Sequence, residues 1–167
     1  IGFSCSLSKQ GARFTPIVES TLKPKLALSL SLQRIEVGKK MLFDRKDVKT
    51  SLESDRGAVR YRHGKKVEER YTLCPEGVEQ SFIIPEASSL PRNKDLLLTL
   101  KVESALTARL KHEEGKPTMV VFFDKSGTPR LTYGEAMARD STGERIALEI
   151  TVKDVWLQIR IPTKWLQ

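Results

Sequence analysis

Apolar residues recur at every second position through most of this chain. In KLALSLSLQRIEVG, Leu26, Leu28, Leu30 and Leu32 alternate with Ala27, Ser29, Ser31 and Gln33, and Gly38 closes the segment. Period two puts the four leucines on one face of a strand, whereas a helix would scatter them around its axis. The same alternation predicts strands through Leu96, Leu98, Leu100 and Val102, and through Ile146, Leu148, Ile150 and Val152. It recurs through Val155, Leu157, Ile159 and Ile161, with Trp156, Gln158 and Arg160 on the opposite face. GAVRYRHGKKVEERYTL reads as a hairpin. Val59 and Tyr61 alternate with Arg60 and Arg62, His63-Gly64-Lys65-Lys66 makes the turn, and Val67, Glu69, Tyr71 and Leu73 share a face of the return strand. Pro75-Glu76-Gly77 is the next turn: proline presets φ and glycine supplies the left-handed position. Val78, Gln80, Phe82 and Ile84 then line one face, and Pro85 ends that strand. Asp124 to Gly127 and Asp140 to Gly143 are two Asp-x-x-Gly turns, the first between TMVVFF and its return strand.

These segments make about eight to ten short strands with turn signals every ~8–12 residues, which predicts an all-β antiparallel sandwich or similar layered sheet. Helix is expected in under roughly a tenth of residues. The predicted core is Leu28, Leu30, Phe82, Leu98, Leu100, Leu148, Ile150, Leu157 and Ile159. Residues 1–25 are rich in Ser, Lys, Gly and Pro with weak periodicity, and read as an N-terminal arm or edge strand ahead of a sandwich domain at 26–167. KKMLFDRKDVKTSLES supports either a short strand or a helical turn, and LTYGEAMARD has room for one turn of helix. A chain of 167 residues is one domain, able to bury roughly 68–70% of its unfolded surface without disulfides or metals. No apolar run is long enough to cross a bilayer. The sequence opens at Ile1 with no charged and apolar leader pattern, so it reads as a processed chain or a piece of a longer protein.

Charge changes the picture modestly. Lys and Arg total 29 against 21 Asp and Glu, a formal charge of +8. Such a surface attracts polyanions, acidic polysaccharide among them. The densest basic patch, Arg60, Arg62, His63, Lys65 and Lys66, is mixed with turn residues and carries no interleaved aromatics for base stacking, which argues against sequence-specific nucleic-acid binding. Ordinary solubility accounts for the rest. Cys5 and Cys74 are the only cysteines. They are too few for a disulfide framework or a zinc site. They are either two free thiols or one candidate disulfide, closing a loop of about seventy residues worth ~4 kcal/mol if unstrained. Two histidines exclude a His-rich metal site, and no Gly-rich phosphate loop follows any strand, so neither metal nor cofactor is expected.

The stretch RYTLCPEGVEQSFIIPE is the natural place to seek chemistry. A Cys74 nucleophile needs a base within reach, and only His63 and His112 qualify. His63 lies about eleven residues back along the hairpin, some ~25–35 Å away, and His112 sits in the polar turn KHEEGK. Glu76 and Glu79 flank a tight turn with nothing to exclude water, and the same is expected of Glu68 and Glu69. Gln80 and Tyr71 are expected to satisfy nearby backbone groups. The leading expectation is therefore a non-enzymatic structural or interaction module. A carbohydrate- or polyanion-binding sandwich is the alternative, and a cysteine- or carboxylate-dependent hydrolase the third. Trp156 and Trp165 would be the binding platforms, with Arg60 and Arg62 for anions. A solvated Trp156 in a row of polar residues favours ligand binding; a covered one favours scaffolding.

VEERYTLCPEGVEQSFII resembles a β-rich domain of large secreted bacterial proteins that stands ahead of β-propeller or other extracellular repeats. That domain has an aromatic-ending strand, a short turn, Gly-Val/Leu-Glu-Gln-x-Phe and an apolar strand. FFDKSGTPRLTYGEAMARDSTGERIALEITVKDVWLQIRI resembles its second half. The likeness covers roughly residues 57–161 by order and turn chemistry. It departs at the end, where IRIPTKWLQ replaces a Tyr-Pro-Leu-x-Ile-Asp-Pro-like segment. The resemblance implies an extracellular or cell-surface setting, a structural or adhesive role, partners among neighbouring domains or other surface proteins, and no catalytic residues.

Overall fold

A computed structural model describes residues 2–55, 57–85, 90–91 and 93–165. The strands in chain order are β1 (Phe3–Ser8), β2 (Gly11–Val18), β3 (Thr21–Leu22), β4 (Leu28–Val37), β5 (Lys40–Asp44), β6 (Thr50–Asp55), β7 (Ala58–His63), β8 (Val67–Cys74) and β9 (Gly77–Ile83). They continue with β10 (Leu96–Ser104), β11 (Thr107–Lys111), β12 (Met119–Phe123), β13 (Pro129–Tyr133), β14 (Met137–Arg139), β15 (Arg145–Ala147), β16 (Glu149–Lys153) and β17 (Trp156–Ile161). Strand accounts for 63% of the chain and helix for 4%, so the protein is all-β and sandwich-like.

The largest sheet runs β1-β2-β4-β10-β17-β16, with β3 added to β2 and β5 to β4. A four-stranded meander β6-β7-β8-β9, a three-stranded meander β11-β12-β13 and the ribbon β14-β15 complete the described sheets. The seventeen described strands outnumber the eight to ten expected. The extra ones are mostly short or peripheral, such as the two-residue β3, where alternation has too few positions to register. The segment left open between strand and helical turn becomes β5 and β6, and LTYGEAMARD is extended across the end of β13 and the start of β14 rather than helical. In the first hairpin His63 is the last strand residue, paired with Val67, so the turn is shorter than its sequence suggested.

The core explains the register of the large sheet. Leu28, Leu30 and Leu32 are buried, and so are Ile35 and Val37, although the alternation skips a step between Leu32 and Ile35. A β-bulge makes this work: Leu100 lies opposite Leu32 while Thr99 lies opposite Arg34, leaving Gln33 as the extra residue. Leu98, Leu100, Leu148, Ile150, Leu157 and Ile159 join the same apolar cluster. Each such side chain contributes about 1.5–3 kcal/mol by leaving water. Phe82 is an exception to the predicted core. It packs against the cluster but stays half-buried, because β9 is the edge of its sheet.

Residues 3–18 are bound into the large sheet as its outermost strands, β1 pairing with β2 from Phe3↔Pro16 to Ser8↔Gly11. Gly11 permits the join to β4. Its φ is 131°, and a Cβ there would lie 2.2 Å from the Leu30 carbonyl oxygen. The four-stranded meander packs on this end of the sheet, where Ala12, Tyr61 and Tyr71 form a second small core.

Candidate functional site

The most organised polar feature lies inside the meander. Glu69 was expected to be solvated; it is 3% exposed, and His63 is 2% exposed. The reason is visible in β8, where Val67, Glu69 and Tyr71 share the face that the sheet turns inward. Burying a carboxylate without partners would cost several kcal/mol. Glu69 has three. His63 Nε2 lies 2.8 Å from its Oε2, and the Tyr71 hydroxyl and Gln80 Nε2 donate to its Oε1 at 2.7 and 2.8 Å. Gln80 Nε2 also donates to the Tyr71 hydroxyl at 2.8 Å, and the Tyr133 hydroxyl donates to Gln80 Oε1 at 2.9 Å. Thr50 Oγ1 meets His63 Nδ1 at 3.0 Å. Tyr71 thus hydrogen-bonds a neighbouring side chain, not the backbone group expected. Tyr61 stacks on the His63 ring, with centroids 6.2 Å apart, and Phe43 closes its other approaches at 4.5 Å.

Burial and the negative charge of Glu69 push the Tyr71 phenol well above its ordinary range, and burial followed by the same charge does so for Tyr133. The network joins β6, β7, β8, β9 and β13, and its side-chain donors and acceptors are spent on one another. Chemically it is a clasp: Tyr133 from one meander is locked to Gln80 of the other. In the sequence, the signal for Glu69 was a carboxylate in the apolar row Val67-Glu69-Tyr71.

Beside the clasp runs a cleft of about 1590 Å³. One wall is β9 and the other is β13 with β14; the floor is the inner face of the large sheet, including Leu28, Leu98 and Ile159. Tyr71, Gln80 and Tyr133 form one part of the lining, and Trp165 another. The volume exceeds the roughly 300–1,000 Å³ typical of small-molecule pockets. The edge of β9 that faces away from β8 has no strand partner among the described residues. Cys74 and Gly77 close the two-residue hairpin, so the backbone groups of Val78, Gln80 and Phe82 point to that free edge.

The residues singled out from the sequence are dispersed. Cys74 borders the cleft, at the opposite end of β8 from His63, which is committed to Glu69; no cysteine–histidine pair forms. Both cysteines are free thiols and half-buried, and burial raises the Cys5 thiol above its usual range. The arm does reach the hairpin: a Cβ on Gly77 would sit 3.5 Å from Phe3 Cζ. Glu76 and Glu79 are exposed and line the cleft. Arg60 and Arg62 are engaged with Asp55 at 3.9 Å and Glu53 at 3.3 Å, so their charge is locally offset. His112 bonds Thr118 in its exposed turn. The two tryptophans do not share a surface: Trp165 lines the cleft, while Trp156 is 37% exposed on the other face of the large sheet. Among the described residues no cluster of His, Cys, Asp or Glu could hold a metal, and no helix is long and apolar enough to cross a membrane. Comparison with known proteins returned no matching family model, curated protein or solved structure.

Proposed function

We propose that this chain is a non-enzymatic interaction module of a secreted or cell-surface bacterial protein, in which the free edge of β9 receives an extended segment from a neighbouring domain of the same polypeptide. The observation that carries the reading is the edge of β9, unpaired among the described residues, beside an apolar-floored cleft. Adding a strand there would satisfy backbone donors and acceptors, while alternate side chains of the incoming segment would enter the cleft. The secreted setting rests on the resemblance of residues 57–161. The closed Glu69 clasp and the isolation of Cys74 from any base support a non-catalytic role.

Amide exchange tests this. In the polypeptide that includes its neighbouring domain, the amides of Val78, Gln80 and Phe82 should exchange at least about tenfold more slowly than in the isolated chain. Met137→Trp, at an exposed position lining the cleft, should abolish the slowing while the isolated chain keeps its unfolding midpoint. Equal exchange at β9 with and without the neighbour would defeat the reading.

A further inference from the structure

We infer that the outer face of the large sheet, around Trp156, binds an acidic polysaccharide of the uronate type. The inference does not depend on the cleft, since alternation along β17 puts Trp156 on the side opposite Leu157 and Ile159.

The register across three strands builds the site. Lys153, Trp156 and Lys101 are direct cross-strand neighbours on β16, β17 and β10. Adjacent strands are ~4.8 Å apart, so one ammonium stem flanks the indole on each side, within reach of a ring stacked on it. The next row holds Thr151 and Gln158, which offer hydroxyl and amide groups for sugar hydroxyls, with the buried Thr99 beside Gln158. Gln158 Nε2 is only 3.4 Å from Thr99 Oγ1, a weak bond that leaves the amide able to turn to a ligand.

An exposed indole with a hydrogen-bonding row beside it is suited to the apolar face of a pyranose. The charges choose among saccharides. Lys153 has no ion pair among the described residues, while Lys101 bonds Glu103 at 2.9 Å and Arg160 lies 3.7 Å from Glu149. Cations therefore sit beside the indole, and acidic groups stand at the rim on both sides. A polymer with sparse carboxylates can place one on Lys153 and keep the rest away from Glu103 and Glu149. A phosphodiester chain, charged at every unit, meets those carboxylates, and a single indole offers no stack for successive bases.

Calorimetric titration with an oligosaccharide of alternating glucuronate and N-acetylglucosamine, charged on every second sugar, with its methyl ester, dextran sulfate and poly(dT) tests the site. The intact chain should bind the alternating uronate oligosaccharide, and the ester at least about tenfold more weakly because its carboxylates are masked. Trp156→Ala and, separately, Lys153→Gln should each weaken binding by about tenfold or more, and Trp165→Phe should leave it unchanged. Both substituted positions are exposed, so the unfolding midpoint should hold and report that each variant is folded. Absence of binding to the alternating uronate oligosaccharide, or undiminished binding by Trp156→Ala, would overturn the inference. So would dextran sulfate binding as tightly as the uronate, which would reduce the effect to net charge, or tighter binding of poly(dT), which would make the face a nucleic-acid surface.

Discussion

Glu69 is held by donors from three strands, and such a group is costly to orphan. Glu69→Ala leaves the buried Tyr71 hydroxyl and Gln80 amide without their acceptor and His63 without its partner, so it should cost at least about 1–3 kcal/mol, read as a lower urea midpoint. Gln80→Ala strips a donor from Glu69 and an acceptor from Tyr133, and should cost about 1–3 kcal/mol. Tyr133→Phe and Gln80→Ala should not add. Their shared hydrogen bond predicts a coupling of ~0.5–3 kcal/mol in a double-mutant cycle, and strict additivity would mean that no clasp forms in solution. At the same scale, the half-buried Cys5 should react with an alkylating reagent more slowly than a model thiol at neutral pH, since burial disfavours its thiolate. After denaturation without reductant, both cysteines should be alkylated, as mass measurement would register.

At the scale of elements, the turns hold the clearest levers. Glu19 and Ser20 join β2 to β3 with φ of 51° and 58°, values that suit Asn and Gly far better. Glu19→Asn with Ser20→Gly should therefore raise the thermal midpoint, by an increment on the order of 1 kcal/mol. Gly11→Ala should do the reverse by more than about 1 kcal/mol, because its Cβ would strike the Leu30 carbonyl and part β2 from β4. Within the sheet, Leu100→Ala should cost ~2–5 kcal/mol, the lost transfer energy plus the cavity left behind. An unchanged midpoint in Leu100→Ala would mean the β4–β10 register is wrong.

Across the whole molecule, stability should fall at both ends of the pH scale. The carboxylates of Asp124 and Asp140 are held below their usual range, chiefly by hydrogen bonds from Ser126 and Thr128 in one turn and from Thr142 and Glu144 in the other. Asp95 is lowered by Thr163, and Glu113 by Lys111 and Lys116. In the unfolded chain these groups titrate near ~3.9 and ~4.3. Their stabilisation is complete above those values and is lost as pH drops towards the folded-state ones, where the unfolded chain binds more protons. Tyr61, Tyr71 and Tyr133 shift the other way, mainly through burial. Unfolded tyrosine ionises near ~10, so above that pH the unfolded chain sheds protons that the folded one keeps, and stability declines. Urea midpoints across pH should therefore show a plateau with two falling flanks, and a flat alkaline side would argue against buried phenols.

Much of this was legible along the chain because it is local. Alternation at Leu28 to Leu32 and at Leu96 to Val102 requires strands whatever they pair with, and Asp124-x-x-Gly127 closes its own turn through Ser126 and Thr128. The free edge of β9 and the burial of Glu69 were not, for a shared reason. Period two states that a strand has two faces; it does not state what covers either. Val67-Glu69-Tyr71 reads identically whether that face meets water or Phe43, and only the docking of the meander on β1 and β2 settles it. Likewise Trp156 and Trp165 are equivalent in sequence, yet the pairing of β17 between β10 and β16 turns Trp156 outward, and the turn after β17 carries Trp165 into the cleft. The β10–β17 pairing joins residues 55 to 65 positions apart, from Lys101 with Trp156 to Leu96 with Ile161, and no local preference encodes a partner at that separation.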